Sequence, residues 1–117
     1  MALNQSSMNL ARISTHVLDT TRGAPAAGVA VKLLRRDGGD LVEAGSGVTG
    51  DDGRIANLAA DGVVPGWYQL VFELDPYYGS QQHFFSRVTF DIAIAEARHH
   101  HVPLLVSPYS ATSYRGS

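Results

Sequence analysis

The stretch Arg12–Asp19 reads RISTHVLD, and its alternation of side chains decides the fold class of this chain. Ile13, Thr15 and Val17 occupy every second position. Because strand side chains alternate between two faces, these three share one face, and the side chains between them share the other. The pattern predicts a strand that buries one side against a core.

Similar runs follow along the chain, separated by turn signals rich in glycine and aspartate. After a loop at 20–25, further strands are predicted at 29–36, 41–49, 54–57, 67–74, 84–95, 100–107 and 109–114. One turn of helix is predicted at 75–79, where Pro76 suits the first helical position. About eight short strands and one short helix indicate an all-β, two-sheet sandwich.

The length of 117 residues is typical of one domain. Glycine and proline are spread along the sequence, so no domain boundary is indicated. We predict a disordered lead over residues 1–10 and one β-sandwich domain over residues 11–117. Met8 is an alternative start.

Composition excludes several classes of function. The net charge is -2, which provides no broad basic surface for nucleic acid or an anionic membrane. The chain has no cysteine, which excludes disulfides, cysteine metal ligands and thiol nucleophiles. The sequence contains neither an apolar run of membrane-spanning length nor a secretory signal pattern. A cytoplasmic location is expected.

Five histidines could carry proton transfer near neutral pH. His16 lies in the middle of a predicted strand, where, by position alone, a structural role is more common than a catalytic one. In the run 99–101, alternation puts His99 and His101 on one face and His100 on the other. Three consecutive ligands therefore cannot converge on one ion, although His99, His101 and His16 together leave a three-histidine zinc site open.

Two further patterns have weak readings by themselves. Residues 45–50 match Gly-x-Gly-x-x-Gly, but the turn at 51–53 allows no helix there, so a glycine-rich strand is favoured over a dinucleotide site. Arg54 follows that turn and, taken alone, is typical of a solvated surface residue. A triad of His16, Asp19 and a serine is not supported by any serine-hydrolase motif.

Four separated segments together resemble the transthyretin-like family. They are 14–19 with 23–26, the tripeptide Asp52-Gly53-Arg54, the segment 99–109, and the terminal Tyr114-Arg115-Gly116-Ser117. The resemblance covers the chain from about Ala11 to Ser117. Four motifs in the same order are far more specific than any one of them.

This resemblance implies a sandwich of two four-stranded sheets with one short helix. It implies a homotetramer, a dimer of dimers, with active sites in the clefts between dimers. The implied reaction is hydrolysis of 5-hydroxyisourate to 2-oxo-4-hydroxy-4-carboxy-5-ureidoimidazoline in urate degradation, with no cofactor and no metal.

Position by position, the resemblance implies the catalytic residues His16, Arg54 and His101 and the substrate-binding residues Tyr114, Arg115 and Ser117. These types suit the reaction, because histidines transfer protons and an arginine fork binds developing negative charge on oxygen. Which histidine is the base stays open, and Arg115 either adds charge or fixes the tail. Ala111 and the order Thr112-Ser113 depart from the family pattern.

Two other classes of function remain. One is a transthyretin-like small-molecule carrier without hydrolytic activity, which would lack the equivalents of Arg54 and His101 and the terminal tetrapeptide. The other is a structural or adhesion sandwich, in which the histidines would be incidental.

Overall fold

The structure, a computed structural model, describes residues 9–116. The predicted lead of residues 1–10 and the predicted site residue Ser117 lie outside the described residues, apart from Asn9 and Leu10. The strands are β1 (Arg12–Asp19), β2 (Ala24–Pro25), β3 (Ala30–Asp37), β4 (Asp40–Val48), β5 (Arg54–Ile55), β6 (Gly66–Glu73), β7 (Arg87–Ile94), β8 (His99–Ser107) and β9 (Ser110–Ser113), and the helix is α1 (Asp75–Tyr78).

Two sheets face each other, as the alternation predicts. One runs β2-β1-β8-β9, with β5 also paired to β1, and the other runs β4-β3-β6-β7. β1 and β8 pair in parallel, whereas β8 and β9 pair antiparallel, as do the strands of the second sheet. Over residues 9–116, the all-β, two-sheet sandwich with one short helix is therefore confirmed.

The first sheet is larger than expected. The resemblance implied four strands a sheet, but β2 and β5 both pair with the same edge of β1 and bring this sheet to five. The predicted loop at 20–25 is wrong at its end, where Ala24–Pro25 forms β2. The cause is Asp19, whose carboxylate accepts the backbone N–H groups of Thr21 and Arg22 at 3.1 Å and turns the chain back along β1.

The core lies between the two sheets. The first sheet contributes Ile13 and Val17 from β1 and Leu104 and Val106 from β8, all fully buried. The second sheet contributes the large side chains of β3 and β6, among them Leu33, Leu70 and Phe72. This packing fixes which face of β1 and β8 points outward, and the outward face carries the candidate chemistry.

Strand ends differ modestly from the prediction. The helical turn appears at Asp75–Tyr78 with Pro76 in its first turn, as expected. The strand predicted at 84–95 begins only at Arg87, because the backbone N–H of Phe84 donates to the carbonyl of Pro108 in a loop. The carbonyl of Ser86 accepts the N–H groups of Leu74 and Asp75, which follow β6. Gly45 lies within β4, where the carbonyl of Leu58 occupies the space of a side chain, so the glycine pattern is a strand feature.

Among the residues described, none belongs to a helix that is long and apolar enough to cross a membrane.

Candidate active site

Strand β1 brings the candidate residues together because it is paired on both edges. On one edge His16 lies opposite Arg54 of β5, and on the other Ser14 lies opposite His101 of β8. Ser14 and His16 share the outward face of β1 by alternation. The antiparallel pairing with β5 and the parallel pairing with β8 therefore collect residues that are about forty to ninety positions apart in the sequence onto one face of the sheet.

Arg54 is held in place by the turn before it. Gly53 has φ of 76°, and the carbonyl of Val17 lies where a side chain would project, so only glycine fits. Gly53 in turn accepts the N–H of Val17 at 2.8 Å. Asp52 accepts the backbone N–H of Arg54 at 2.9 Å. These contacts tie the start of β5 to β1 and leave the exposed Arg54 side chain beside the two histidines.

A cavity of about 320 Å³ opens on this outward face. Its wall includes Arg12 and Ser14 of β1, Arg54 of β5, and His99 and His101 of β8. This volume is at the lower end of the range for small-molecule sites. His16, half-buried at the next outward position of β1, lies beside the cavity and not in its wall.

His101 has the electrostatics of a base. Burial lowers the pKa of its imidazole below the usual value, and the positive charge of Arg54 and the neighbouring His99 and His16 lower it further. Both effects disfavour the imidazolium form. These effects therefore favour the neutral imidazole, the form that can accept a proton.

The C-terminal tail runs back along β8 and reaches His101. Gly116 forms an isolated bridge with His101, and its N–H donates to the His101 carbonyl at 2.7 Å. A side chain at Gly116 would place its first carbon 2.9 Å from Cδ2 of the His101 ring. The tail thus packs directly against the His101 ring on one side.

The predicted tail residues within the described part of the chain lie elsewhere. Tyr114 and Arg115 line a second cavity, also of about 320 Å³, together with Ile92 of β7 and His100 of β8. His100 points away from His99 and His101, as alternation requires, and its ring bonds the Glu96 carbonyl at 3.0 Å. The structure therefore groups His16, Arg54 and His101 and separates Tyr114 and Arg115 from them.

Two residues of the outward face, Ser14 and His99, were not among the predicted catalytic or substrate-binding residues. The hydroxyl oxygen of Ser14 lies 2.7 Å from Nδ1 of His101 and 2.7 Å from Nε2 of His99. Alternation already placed His99 beside His101. Ser14 was missed because its position depends on the parallel pairing of β1 with β8, which no local pattern specifies.

Across residues 9–116, no group of three or more histidine, cysteine, aspartate or glutamate side chains is arranged to hold a metal ion. The rings of His99 and His101 have centroids 6.4 Å apart, with the Ser14 hydroxyl between their nitrogens.

Comparison with known proteins gives consistent matches. The sequence profile of the HIUase/Transthyretin family matches residues 13–116. A 5-hydroxyisourate hydrolase of Mesorhizobium japonicum is 42% identical over 114 residues, covering 91% of this chain and 92% of that protein.

Two solved structures extend the comparison. The 5-hydroxyisourate hydrolase of Klebsiella pneumoniae superposes with a TM-score of 0.78 at 35% identity, covering 93% of this chain and 99% of that one. Sea bream transthyretin in complex with thyroxine superposes with a TM-score of 0.82 at 27% identity, covering 90% and 94%. The fold is thus shared by a hydrolase and a hormone-binding protein, and fold alone does not distinguish them.

Proposed function

Because this chain belongs to the HIUase/Transthyretin family, we propose that it hydrolyses 5-hydroxyisourate, a step of urate degradation, at the outward cavity of its five-stranded sheet. The product is the ring-opened 2-oxo-4-hydroxy-4-carboxy-5-ureidoimidazoline. The observation that carries this function is the convergence of Arg54 with His101 on one cavity, in a chain 42% identical to a 5-hydroxyisourate hydrolase.

The proposed chemistry begins with His101. Its lowered pKa keeps it neutral, so it can take a proton from water as the water oxygen bonds to the ring carbonyl carbon. The tetrahedral intermediate carries negative charge on the former carbonyl oxygen, and the guanidinium of Arg54 binds it. The ring C–N bond then breaks, and the departing nitrogen receives a proton.

His16 is the proposed partner in this step. It lies opposite Arg54 across the β1–β5 pairing, and it is one of the groups that lower the pKa of His101. From there it orients the attacking water or protonates the departing nitrogen. The assignment of the base to His101 rests on its depressed basicity and on its place in the cavity wall.

The tail has a supporting role in this proposal. Gly116 lies against His101, and we propose that Ser117, the residue after it, contacts substrate. Tyr114 and Arg115 line the second cavity, so their proposed contribution to substrate binding is to hold the tail in position.

A homotetramer of two dimers is proposed for the assembly. The cavity is open on the outer face of a single chain, and a facing copy would cover it and exclude water. Several large apolar side chains are exposed, with Phe84 at 74% and Trp67 and Tyr109 at 60%. Light scattering or native mass spectrometry tests the assembly, and a stable monomer with full activity would contradict it.

Cytoplasmic location stays a prediction that cell fractionation tests.

The test of function uses urate oxidised in the cuvette, which yields 5-hydroxyisourate whose absorbance decays spontaneously. Wild-type protein is expected to accelerate that decay strongly, and chelator treatment is expected to leave the acceleration intact. Decay at the spontaneous rate, with the compound bound but unchanged, would contradict the hydrolase function. It would favour the alternative, a transthyretin-like small-molecule carrier. Loss of activity on chelation that zinc restores would revive the three-histidine site.

A further inference from the structure

We propose that Ser14 and His99 are positioning residues that set the protonation of His101 through two hydrogen bonds, and that a second proton on His99 turns His101 off as a base. The inference rests on the proposed function, because it assigns a control to the same site. It assigns roles to two residues to which the family resemblance gave none.

The geometry is a chain of three side chains. Oγ of Ser14 lies 2.7 Å from Nδ1 of His101 and 2.7 Å from Nε2 of His99. Ser14 is 6% exposed, whereas His99 lies at the surface. The chain therefore links a surface imidazole to the proposed base through one buried hydroxyl.

Counting hydrogens leaves two arrangements of the neutral state, one in which Ser14 donates to His99 and one in which it donates to His101, and the first is the state we assign. A serine hydroxyl has one hydrogen to donate, and a neutral imidazole has one donor nitrogen and one acceptor nitrogen. If Ser14 donates to His99, its oxygen accepts the Nδ1–H of His101. That arrangement leaves the lone pair of His101 on Nε2, the ring nitrogen that Ser14 does not occupy. This is the tautomer that a general base in the cavity needs.

Adding a proton to His99 reverses the direction of both hydrogen bonds that link His99, Ser14 and His101. Both nitrogens of an imidazolium are donors, so His99 then donates to Ser14 and no longer accepts from it. The buried hydroxyl hydrogen must find another acceptor, since an unpaired buried donor is costly. Nδ1 of His101 lies at hydrogen-bond distance and can serve. The remaining hydrogen of neutral His101 then resides on Nε2, where the lone pair is needed.

The charges around the chain favour this exchange over protonation of both rings. Arg12 of β1 and Arg54 of β5 line the same cavity, His16 lies beside it, and Arg98 bonds the backbone carbonyl of His99 at 3.0 Å. The cavity-lining residues within the described chain include no carboxylate. Burial, Arg54, His99 and His16 lower the pKa of His101 and so oppose a proton there, whereas His99 is exposed.

The direct test is nitrogen NMR of protein labelled with ¹⁵N-histidine, because ring-nitrogen shifts distinguish the two tautomers. The His101 signals are identified by their absence from His101→Asn. We expect Nδ1–H at neutral pH and a change to Nε2–H as His99 gains its second proton. In His99→Gln the change should disappear. A His101 that keeps Nδ1–H at every pH in the wild type would overturn the proposal.

Kinetics supply a second measurement with matched variants. His99→Gln keeps an oxygen that accepts from Ser14 but does not titrate, so the acid limb of the kcat profile should move to lower pH. His99→Phe removes the acceptor, so the Ser14 hydroxyl turns to His101 and kcat should fall roughly 10- to 100-fold with KM little changed. Ser14→Ala should lose kcat similarly, because the tautomer is no longer fixed.

A purely structural role predicts a different result, namely that all three variants lose activity by the same factor at every pH. That outcome would overturn the positioning chain while leaving the hydrolase intact. A wild-type protein without hydrolase activity but with the tautomer change would instead contradict the proposed function alone. The two failures are therefore distinguishable.

Discussion

Gly116 and His101 are joined through the backbone, with the N–H of Gly116 donating to the His101 carbonyl at 2.7 Å. The same glycine leaves no space for a side chain, because an added carbon would lie 2.9 Å from Cδ2 and 3.1 Å from Cβ of His101. A residue with no chemistry of its own thus borders the proposed base. The C-terminal tail is part of the site's framework and extends the β8–β9 pairing.

Gly116→Ala should therefore lower activity by displacing the His101 ring. A misplacement of about 1 Å can cost about 100-fold in rate, and we expect a loss approaching that size in the absorbance-decay assay. Gly39→Ala is the matched control, since a side chain there would meet no atom within 4 Å. Equal activities of the two variants would show that the tail does not position His101.

Arg54→Ala should reduce kcat roughly 100- to 1,000-fold, as removal of an oxyanion-binding group does. Arg54→Lys should recover only part of this, because lysine keeps the charge but not the planar fork. Lys32→Ala, which removes one positive charge from the second sheet, should leave kcat near wild type. A loss in Lys32→Ala equal to that in Arg54→Ala would mean that overall charge, and not a local contact, explains the effect.

Two buried tyrosines should respond to phenylalanine in opposite directions. Tyr68 donates its hydroxyl to the carbonyl of Val64, so Tyr68→Phe should lower the free energy of unfolding by about 1 kcal/mol. The hydroxyl of Tyr78 is buried without a hydrogen-bond partner among the described residues, and burial raises its pKa to about 12. Tyr78→Phe should raise the free energy of unfolding by about 1 kcal/mol. Urea titration measures both, and equal destabilisation by the two variants would contradict this account.

His83 should make stability depend on pH. The Gln81 carbonyl and the Asp75 carboxylate, bonded at 2.7 and 2.6 Å, raise the pKa of its imidazole above 6.5 in the folded state. A raised folded-state pKa means that protonation favours folding, so the contribution is complete below pH 6.5 and is lost as pH rises through the folded value. Wild type should exceed His83→Gln in melting temperature most at low pH. A difference that grows with rising pH would contradict the assignment.

Local alternation predicted most of the fold. β1 was predicted with its observed bounds because RISTHVLD alternates over its full length and buries one face. Ala24–Pro25 was missed because two residues are too few to show a strand pattern. β2 forms because the side chain of Asp19 turns the chain back along β1, and no local pattern in the sequence indicates this contact. The start of β7 was placed too early because Phe84 is apolar yet bonds a loop carbonyl.

The candidate site was only partly predictable, for a different physical reason. His16, Arg54 and His101 were identified through family motifs, and the placement of His99 followed from strand alternation. The contact of Ser14 with both histidine rings depends on the parallel register of β1 and β8, which is set by packing between distant segments. The placement of Tyr114 and Arg115 at a second cavity likewise depends on the path of the tail.

The central claim is that the outward cavity around His101, and not the second cavity, hydrolyses 5-hydroxyisourate. The most direct measurement compares its decay with wild type, His101→Ala and Asp91→Asn, the last being a residue that lines the second cavity. We predict that His101→Ala loses roughly 100- to 10,000-fold of the catalysed rate, as loss of a general base does, while Asp91→Asn stays near wild type. Full activity in His101→Ala, or its loss in Asp91→Asn alone, would contradict the account.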